Sequence, residues 1–85
     1  MSTKEVYLII IDEVADYETV RSNISAYERY DSAKAAYDAF VEIARDEFAE
    51  SEWEESWGGT FYEIYPEGNF AQSHFGVYLR TVEVC

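Results

Sequence analysis

Carboxylates between residues 38 and 54 are the groups in this sequence whose type and spacing could do chemistry. Five of them recur at every fourth position: Asp38, Glu42, Asp46, Glu50 and Glu54. On an α-helix a step of four residues rises about 6 Å and turns about 40° past a full revolution, so the five would form a gently spiralling row. That spacing is of the order of the charge spacing along a nucleic-acid strand, about one charge per 3.4 Å of axis. The row is therefore predicted to imitate a track of phosphates and to bind a basic protein surface.

The same row has a second interpretation, as the solvated face of a helix in an acidic protein. Like charges four residues apart destabilise a helix by roughly a few tenths of a kcal/mol per pair. Only Lys34 and Arg45 lie near enough along the helix to offset this repulsion. Acids toward the C-terminal end also oppose the helix macrodipole. Helix stability alone does not favour the row, and this favours a role in binding.

Further acidic residues would enlarge the predicted binding surface. The row would be widened by Glu47, Glu52 and Glu55. If the segment DEVADYE lies nearby, the surface would be extended by Asp12, Glu13, Asp16 and Glu18.

Residues able to carry catalysis or hold a metal ion are scarce. The chain has one histidine, His74, and one cysteine, Cys85, without the paired spacing that zinc sites use. A calcium loop of the EF-hand type needs a central glycine, which residues 12–18 and 47–56 both lack. Ser73 precedes His74 and in a strand would point to the opposite face, so the two do not make a base and nucleophile. We expect a non-enzymatic protein with no catalytic residue, no cofactor and no dedicated metal site.

The overall charge restricts the class of partner. The 85 residues include 18 acids against six lysines and arginines, which gives a net charge of −12. Direct binding to DNA, RNA or an anionic membrane is not expected, because affinity for phosphates needs cations that release counterions. With one cysteine no intrachain disulfide forms, and the apolar run at 6–11 is too short for a signal core or a membrane span. We expect a cytoplasmic protein.

Periodicity predicts the elements that position these residues. A strand is predicted at 4–11, a connection at 12–18 and a second strand at 19–30. An amphipathic helix follows N-cap oxygens at Asp31 and Ser32. Its apolar stripe consists of Ala33, Ala36, Tyr37, Phe40, Ile43, Ala44 and Phe48.

The helix is predicted to end at Gly58 and Gly59. Ser51 and Glu54 match a capping box, so either the helix continues or a short second helix begins near 52–57. Strands at 60–65 and 69–84 then flank the turn Pro66-Glu67-Gly68. The predicted fold is a single α+β domain, residues 1–85, of ββαββ order. It has a four-stranded, mainly antiparallel sheet with one long helix on one face.

One helix covers only one face of such a sheet. The tyrosines of the strands would divide between the covered face and the open one: Tyr7, Tyr27, Tyr62, Tyr65 and Tyr78. An aromatic, apolar patch on the open face would be an interface, so a structural or regulatory homodimer that associates through this aromatic open face is an alternative function.

A small, strongly acidic, cysteine-poor α+β chain with the carboxylate row at 38–55 and the DEVADYE segment resembles accessory proteins encoded by phages and plasmids. Within that group it is similar to anti-CRISPR and anti-restriction inhibitors, several of which are nucleic-acid mimics. The resemblance spans the whole chain in size, charge and architecture. It implies a non-enzymatic inhibitor that blocks a nucleic-acid-binding groove of a defence effector in the host cytoplasm. An antitoxin-like partner of a basic toxin is a further alternative.

Overall fold

The computed structural model describes residues 4–48, 52–66, 68 and 72–84, and within them one helix lies across one face of a five-stranded sheet. In chain order the elements are β1 (Lys4–Ala15), β2 (Glu18–Tyr27), α1 (Tyr30–Glu47), β3 (Glu54–Trp57), β4 (Phe61–Tyr65) and β5 (His74–Val84). The strand order is β2-β1-β5-β4-β3, and every neighbouring pair is antiparallel. The α+β class is confirmed. The sheet has five strands rather than four, because β3 replaces the predicted second helix.

The first hairpin is longer than predicted. β1 runs through most of residues 12–18, and the predicted connection shrinks to a turn at Asp16 and Tyr17. Both turn residues have positive φ, 51° and 66°, as in the two-residue turns whose twist matches the flanking strands. Acids are tolerated in this part of the ladder because they have partners nearby: the Glu13 carboxylate lies 3.7 Å from Arg21 Nε on the opposite strand.

α1 has 18 residues and is shorter than the longer of the two predicted alternatives. It begins at Tyr30, and its N-cap residue is Arg29, which makes no side-chain capping bond, rather than Asp31 or Ser32. It ends at Glu47, so the prediction of a helix continuing to Gly58 is wrong.

β3 forms because the outer edge of β4 is open to it. Glu54 lies opposite Tyr65 in an antiparallel register. Where the chain leaves the helix, Trp53 stacks on Phe48 with ring centroids 4.9 Å apart. The predicted short helix at 52–57 is therefore wrong, and Ser51 of the predicted capping box lies outside the described residues.

The second hairpin joins β4 to β5, as predicted, around Pro66 and Gly68. Gly68 has a φ of 73°, in the left-handed region that glycine enters without steric cost. β5 begins at His74 rather than at residue 69. Residues 67 and 69–71 lie outside the described part of the chain.

The core lies between α1 and the covered face of the sheet. Its buried residues are Ile9, Ile11, Tyr62, Ile64, Phe75, Val77 and Leu79 from the strands, and Ala33, Tyr37, Val41 and Ala44 from the helix. The predicted stripe is correct at three of these helix positions. It missed Val41 and included Ile43, which is 55% exposed. Ala36, Phe40 and Phe48 pack at the margin of the core.

On the open face of the sheet a tyrosine lies over a glycine. The ring of Tyr78 crosses Gly76 on the same strand, at a position where a Cβ on residue 76 would collide with it. The Tyr78 hydroxyl donates to Glu63 Oε2 at 2.7 Å. Burial, this hydrogen bond and the nearby charges of Glu63 and Asp12 raise the pKa of Tyr78 far above the usual tyrosine range.

Truncation of the core should be costly in so small a domain. Ile9 is 1% exposed and lies opposite Leu79 in the centre of the sheet. We expect Ile9→Ala to lower the free energy of unfolding by about 2–5 kcal/mol, measured by urea denaturation. Ile43→Ala, the same chemical change at an exposed site, should change it by less than about 0.5 kcal/mol. Equal losses in the two variants would contradict this placement of the core.

Candidate functional site

Three of the five carboxylates in the predicted row lie on α1. Asp38, Glu42 and Asp46 are exposed, on the part of the helix surface away from the buried Tyr37 and Ala44. We call these three residues the acidic face. Successive members are one helical turn apart, so their order along α1 is the one that the sequence predicts.

The three members of the acidic face differ in how far their charge is offset. Asp38 Oδ1 accepts a hydrogen bond from Lys34 Nζ at 2.8 Å, and this bond raises the pKa of Lys34. The pair is exposed, so it contributes little to stability. Within residues 4–48, 52–66, 68 and 72–84, Glu42 and Asp46 have no ion-pair partner. Their charges therefore face solvent unopposed.

The row does not continue along the chain as predicted. Glu54 lies in β3 on the open face of the sheet, because it is paired with Tyr65 and alternates with Glu55. Side chains of a strand alternate between faces, so a spacing of four no longer extends the helical row. Glu50 lies outside the described residues. Glu47 is exposed at the last helical position, roughly 140° around the axis from Glu42, and Glu52 is exposed ahead of β3.

Glu55 forms part of the connection between α1 and the sheet. Its Oε2 accepts a hydrogen bond from Arg45 Nε at 3.2 Å and another from the Tyr62 hydroxyl at 2.7 Å. The Arg45 guanidinium carbon also lies 5.1 Å from the Tyr62 ring centroid and 5.8 Å from that of Trp57. Both distances suit a cation–π contact. The charge of Glu55 is thus offset within the molecule, unlike those of Glu42 and Asp46.

The contacts in this cluster of Arg45, Glu55, Tyr62 and Trp57 raise the pKa values of Tyr62 and Arg45. Burial and the hydrogen bond to Glu55 raise the pKa of Tyr62 to about 12. The hydrogen bond to Glu55 also raises the pKa of Arg45. No periodic signal in the sequence indicates the cluster, because its members meet only when β3 pairs with β4.

The acids of the first hairpin lie in different environments. Asp12 is on the open face, where its Oδ2 is 3.2 Å from His74 Nε2, and Glu13 is on the covered face beside Arg21. Asp16 is at the hairpin turn, and Glu18 is exposed at the start of β2. The structure therefore does not bring these four residues together into one continuation of the acidic face.

Contacts fix the hairpin turn relative to the other elements. The Asp16 amide donates to Ser73 Oγ at 3.3 Å, and the Tyr17 amide donates to the Gln72 carbonyl oxygen at 2.8 Å. Phe48 follows the last residue of α1 and packs against Phe75, with ring centroids 5.9 Å apart. The turn thus lies toward the end of the molecule where α1 finishes.

His74 and Asp12 are the pair that most nearly resembles catalytic groups. His74 is 8% exposed, and its ring is beside the Asp12 carboxylate. Ser73 instead accepts a hydrogen bond from the Asp16 amide. The described residues form no ligand-sized pocket and no group of three side chains able to hold a metal ion. In the part of the chain that the structure describes, no helix is both long and apolar enough to cross a membrane.

No protein-family model, curated protein or solved structure matches this chain. The α+β fold and the exposed, partly unpaired acidic face are the distinguishing features of the described residues.

The pKa of Tyr62 predicts how stability depends on pH. The phenol ionises near pH 10 when the chain is unfolded and near 12 when it is folded. Between these values the unfolded state loses the proton first, so the free energy of unfolding should fall as the pH rises from about 10 to about 12. Chemical denaturation across that range measures the fall. The variant Tyr62→Phe should show a smaller fall, whereas an unchanged pH dependence would contradict the assignment.

Proposed function

We propose that the protein is a non-enzymatic inhibitor that occupies a basic, nucleic-acid-binding surface of another protein through its acidic face. The observation that carries the proposal is the pair Glu42 and Asp46. Both carboxylates are exposed on a helix and have no ion-pair partner among the described residues. A basic surface would provide the counter-charges that the chain itself does not.

The helix suits this role because it holds the charges at a fixed spacing. One step of four residues rises about 6 Å, roughly twice the phosphate spacing of 3.4 Å along a nucleic-acid strand. Asp38 continues the same spacing, although Lys34 offsets its charge. A net charge of −12 would also steer the chain toward a basic surface and speed association.

The proposed partner is a nucleic-acid-binding defence effector, which the protein would inhibit in the host cytoplasm, as anti-CRISPR and anti-restriction inhibitors do. An antitoxin-like role would use the same chemistry on a basic toxin. The two roles differ in the kind of partner: the first requires a protein that gives up its nucleic acid when this chain binds.

Charge reversal on the acidic face tests the proposal. We expect Glu42→Lys/Asp46→Lys to weaken partner binding roughly tenfold or more, because two attractive charges become repulsive. The control, Glu28→Lys/Glu83→Lys, reverses two exposed acids elsewhere, so both variants have a net charge of −8.

The measurement is capture of host proteins on the immobilised chain at low salt. The captured proteins are eluted in parallel with duplex DNA and with a salt solution of equal ionic strength. The wild type and the control should retain a protein that DNA displaces more efficiently than salt. Equal retention by the acidic-face variant, or a captured protein that DNA does not displace, would contradict the proposal.

A homodimer through the open sheet face is a second candidate. Tyr7, Tyr27 and Tyr62 lie on the covered face, so the open face is more aliphatic than aromatic. Its strands present partly or largely exposed apolar side chains, among them Val6, Leu8, Ile10, Val14, Ile24, Phe61 and Val82. Such a patch is typical of an interface. If this is the function, substitutions on the open face should abolish dimer formation, whereas substitutions on the acidic face should not.

A further inference from the structure

The two edges of the sheet are built differently. β3 forms one edge and is four residues long, and residues 52–57 include Glu52, Glu54 and Glu55. Short length and charged side chains are the devices by which proteins prevent an edge strand from pairing with another chain. β2 forms the other edge and is ten residues long. Residues 19–27 contain no acid and one base, Arg21, in a chain of net charge −12.

The usable part of the β2 edge is the stretch Arg21–Tyr27. Arg21 is opposite Glu13 and Thr19 is opposite Val14, so Val20 is an extra residue on β2. A bulge of this kind interrupts the ladder and bends the strand. From Arg21 to Tyr27 the register with β1 is continuous, which leaves about 23 Å of regular edge.

Exposed apolar side chains are found on and beside this same strand. Ile24 is 62% exposed, Val20 is 61% exposed, and Tyr17 in the preceding turn is 74% exposed. Ile24 is the central residue of the usable stretch. An edge that is long, free of acid and has an exposed isoleucine at its centre is a template for another strand.

We propose that the β2 edge pairs with the β2 edge of a second copy, so that two five-stranded sheets join into one antiparallel sheet across a two-fold axis. A second copy is an occupant that this edge permits, because residues 19–27 carry no acid and two chains of net charge −12 can meet here without opposing carboxylates. It is favoured by symmetry. An axis at Ile24 sets the two Ile24 side chains against each other and pairs Arg21 with Tyr27 of the second copy, an arrangement in which arginine can contact a ring.

This interface differs from the two surfaces of the proposed functions, the acidic face of α1 and the open face of the sheet. Edge pairing uses the backbone of β2 and leaves the acidic face of α1 free in each copy. A two-fold axis normal to the sheet does not exchange the two faces of the sheet. Both helices, and therefore both acidic faces, would lie on the same side of the joined sheet. The dimer would thus present two acidic faces to a partner.

The mass in solution tests the proposal, by sedimentation of the full chain over a range of concentrations. We expect a dimer that dissociates less at high salt, because salt screens the repulsion between two acidic chains. Ile24→Lys should give a monomer at concentrations where the wild type is a dimer, because it brings two lysines together at the axis. Ile43→Lys is the matched control, 55% exposed on the helix, and should remain a dimer. Circular dichroism establishes that both variants are folded.

A cross-link identifies the register. In a Cys85→Ser background, Ile24→Cys should form an intermolecular disulfide on mild oxidation, because opposed residues of antiparallel strands have Cα atoms about 4.5–5.5 Å apart. Val82→Cys lies on β5, two strands from the edge, and should not. A wild type that is monomeric throughout, or a dimer that survives Ile24→Lys, would overturn the proposal. A dimer lost in Val82→Lys would indicate the open face instead, whatever the result for Ile24→Lys, because the Ile24 side chain also lies on that face.

Discussion

The antiparallel pairing of β1 with β5 is the constraint on which the other elements depend. These strands are separated by most of the chain, yet their register extends from Lys4 opposite Val84 to Val14 opposite His74. The register sets Ile9 beside Leu79 and Ile11 beside Val77, which forms the floor on which α1 packs. β2 adds to one side of this pair and β4 to the other. A slip of one residue would turn every core side chain of β1 to the open face.

α1 has one buried side and one charged, exposed side because it packs against these core residues of β1 and β5. Tyr37, Val41 and Ala44 are held against the sheet, so Glu42 and Asp46 face away from it. Arg45 lies between the two sides and reaches the sheet through Glu55. Glu55 is thereby ion-paired within the molecule, whereas Glu42 and Asp46 have no ion-pair partner among the described residues. Which acids face solvent without a partner therefore depends on how the helix packs on the sheet, and not only on the number of acids in the sequence.

The sequence predicts those elements whose signal is local. The first strand, the turn at Pro66 and Gly68 and the position of the helix follow from apolar periodicity and turn chemistry. β3 could not be found in this way, because the spacing of four between acids suits a helix and the strand forms only when the edge of β4 is available. The choice between Val41 and Ile43 as the core residue depends on the rotation of the helix over the sheet. The Arg45–Glu55 contact has no sequence pattern for the same reason as β3: it joins residues that meet only after the sheet assembles.

Gly76 and Tyr78 form a coupled pair in the sequence. The absence of a side chain at residue 76 is what allows the Tyr78 ring to lie flat on the sheet and its hydroxyl to reach Glu63. A larger residue at 76 is unfavourable only while a tyrosine occupies 78, so the cost of changing both should be smaller than the sum of the two single costs. Substitutions at these two positions are therefore expected to occur together during evolution. In a chain without the tyrosine, replacing the glycine would no longer cause this collision.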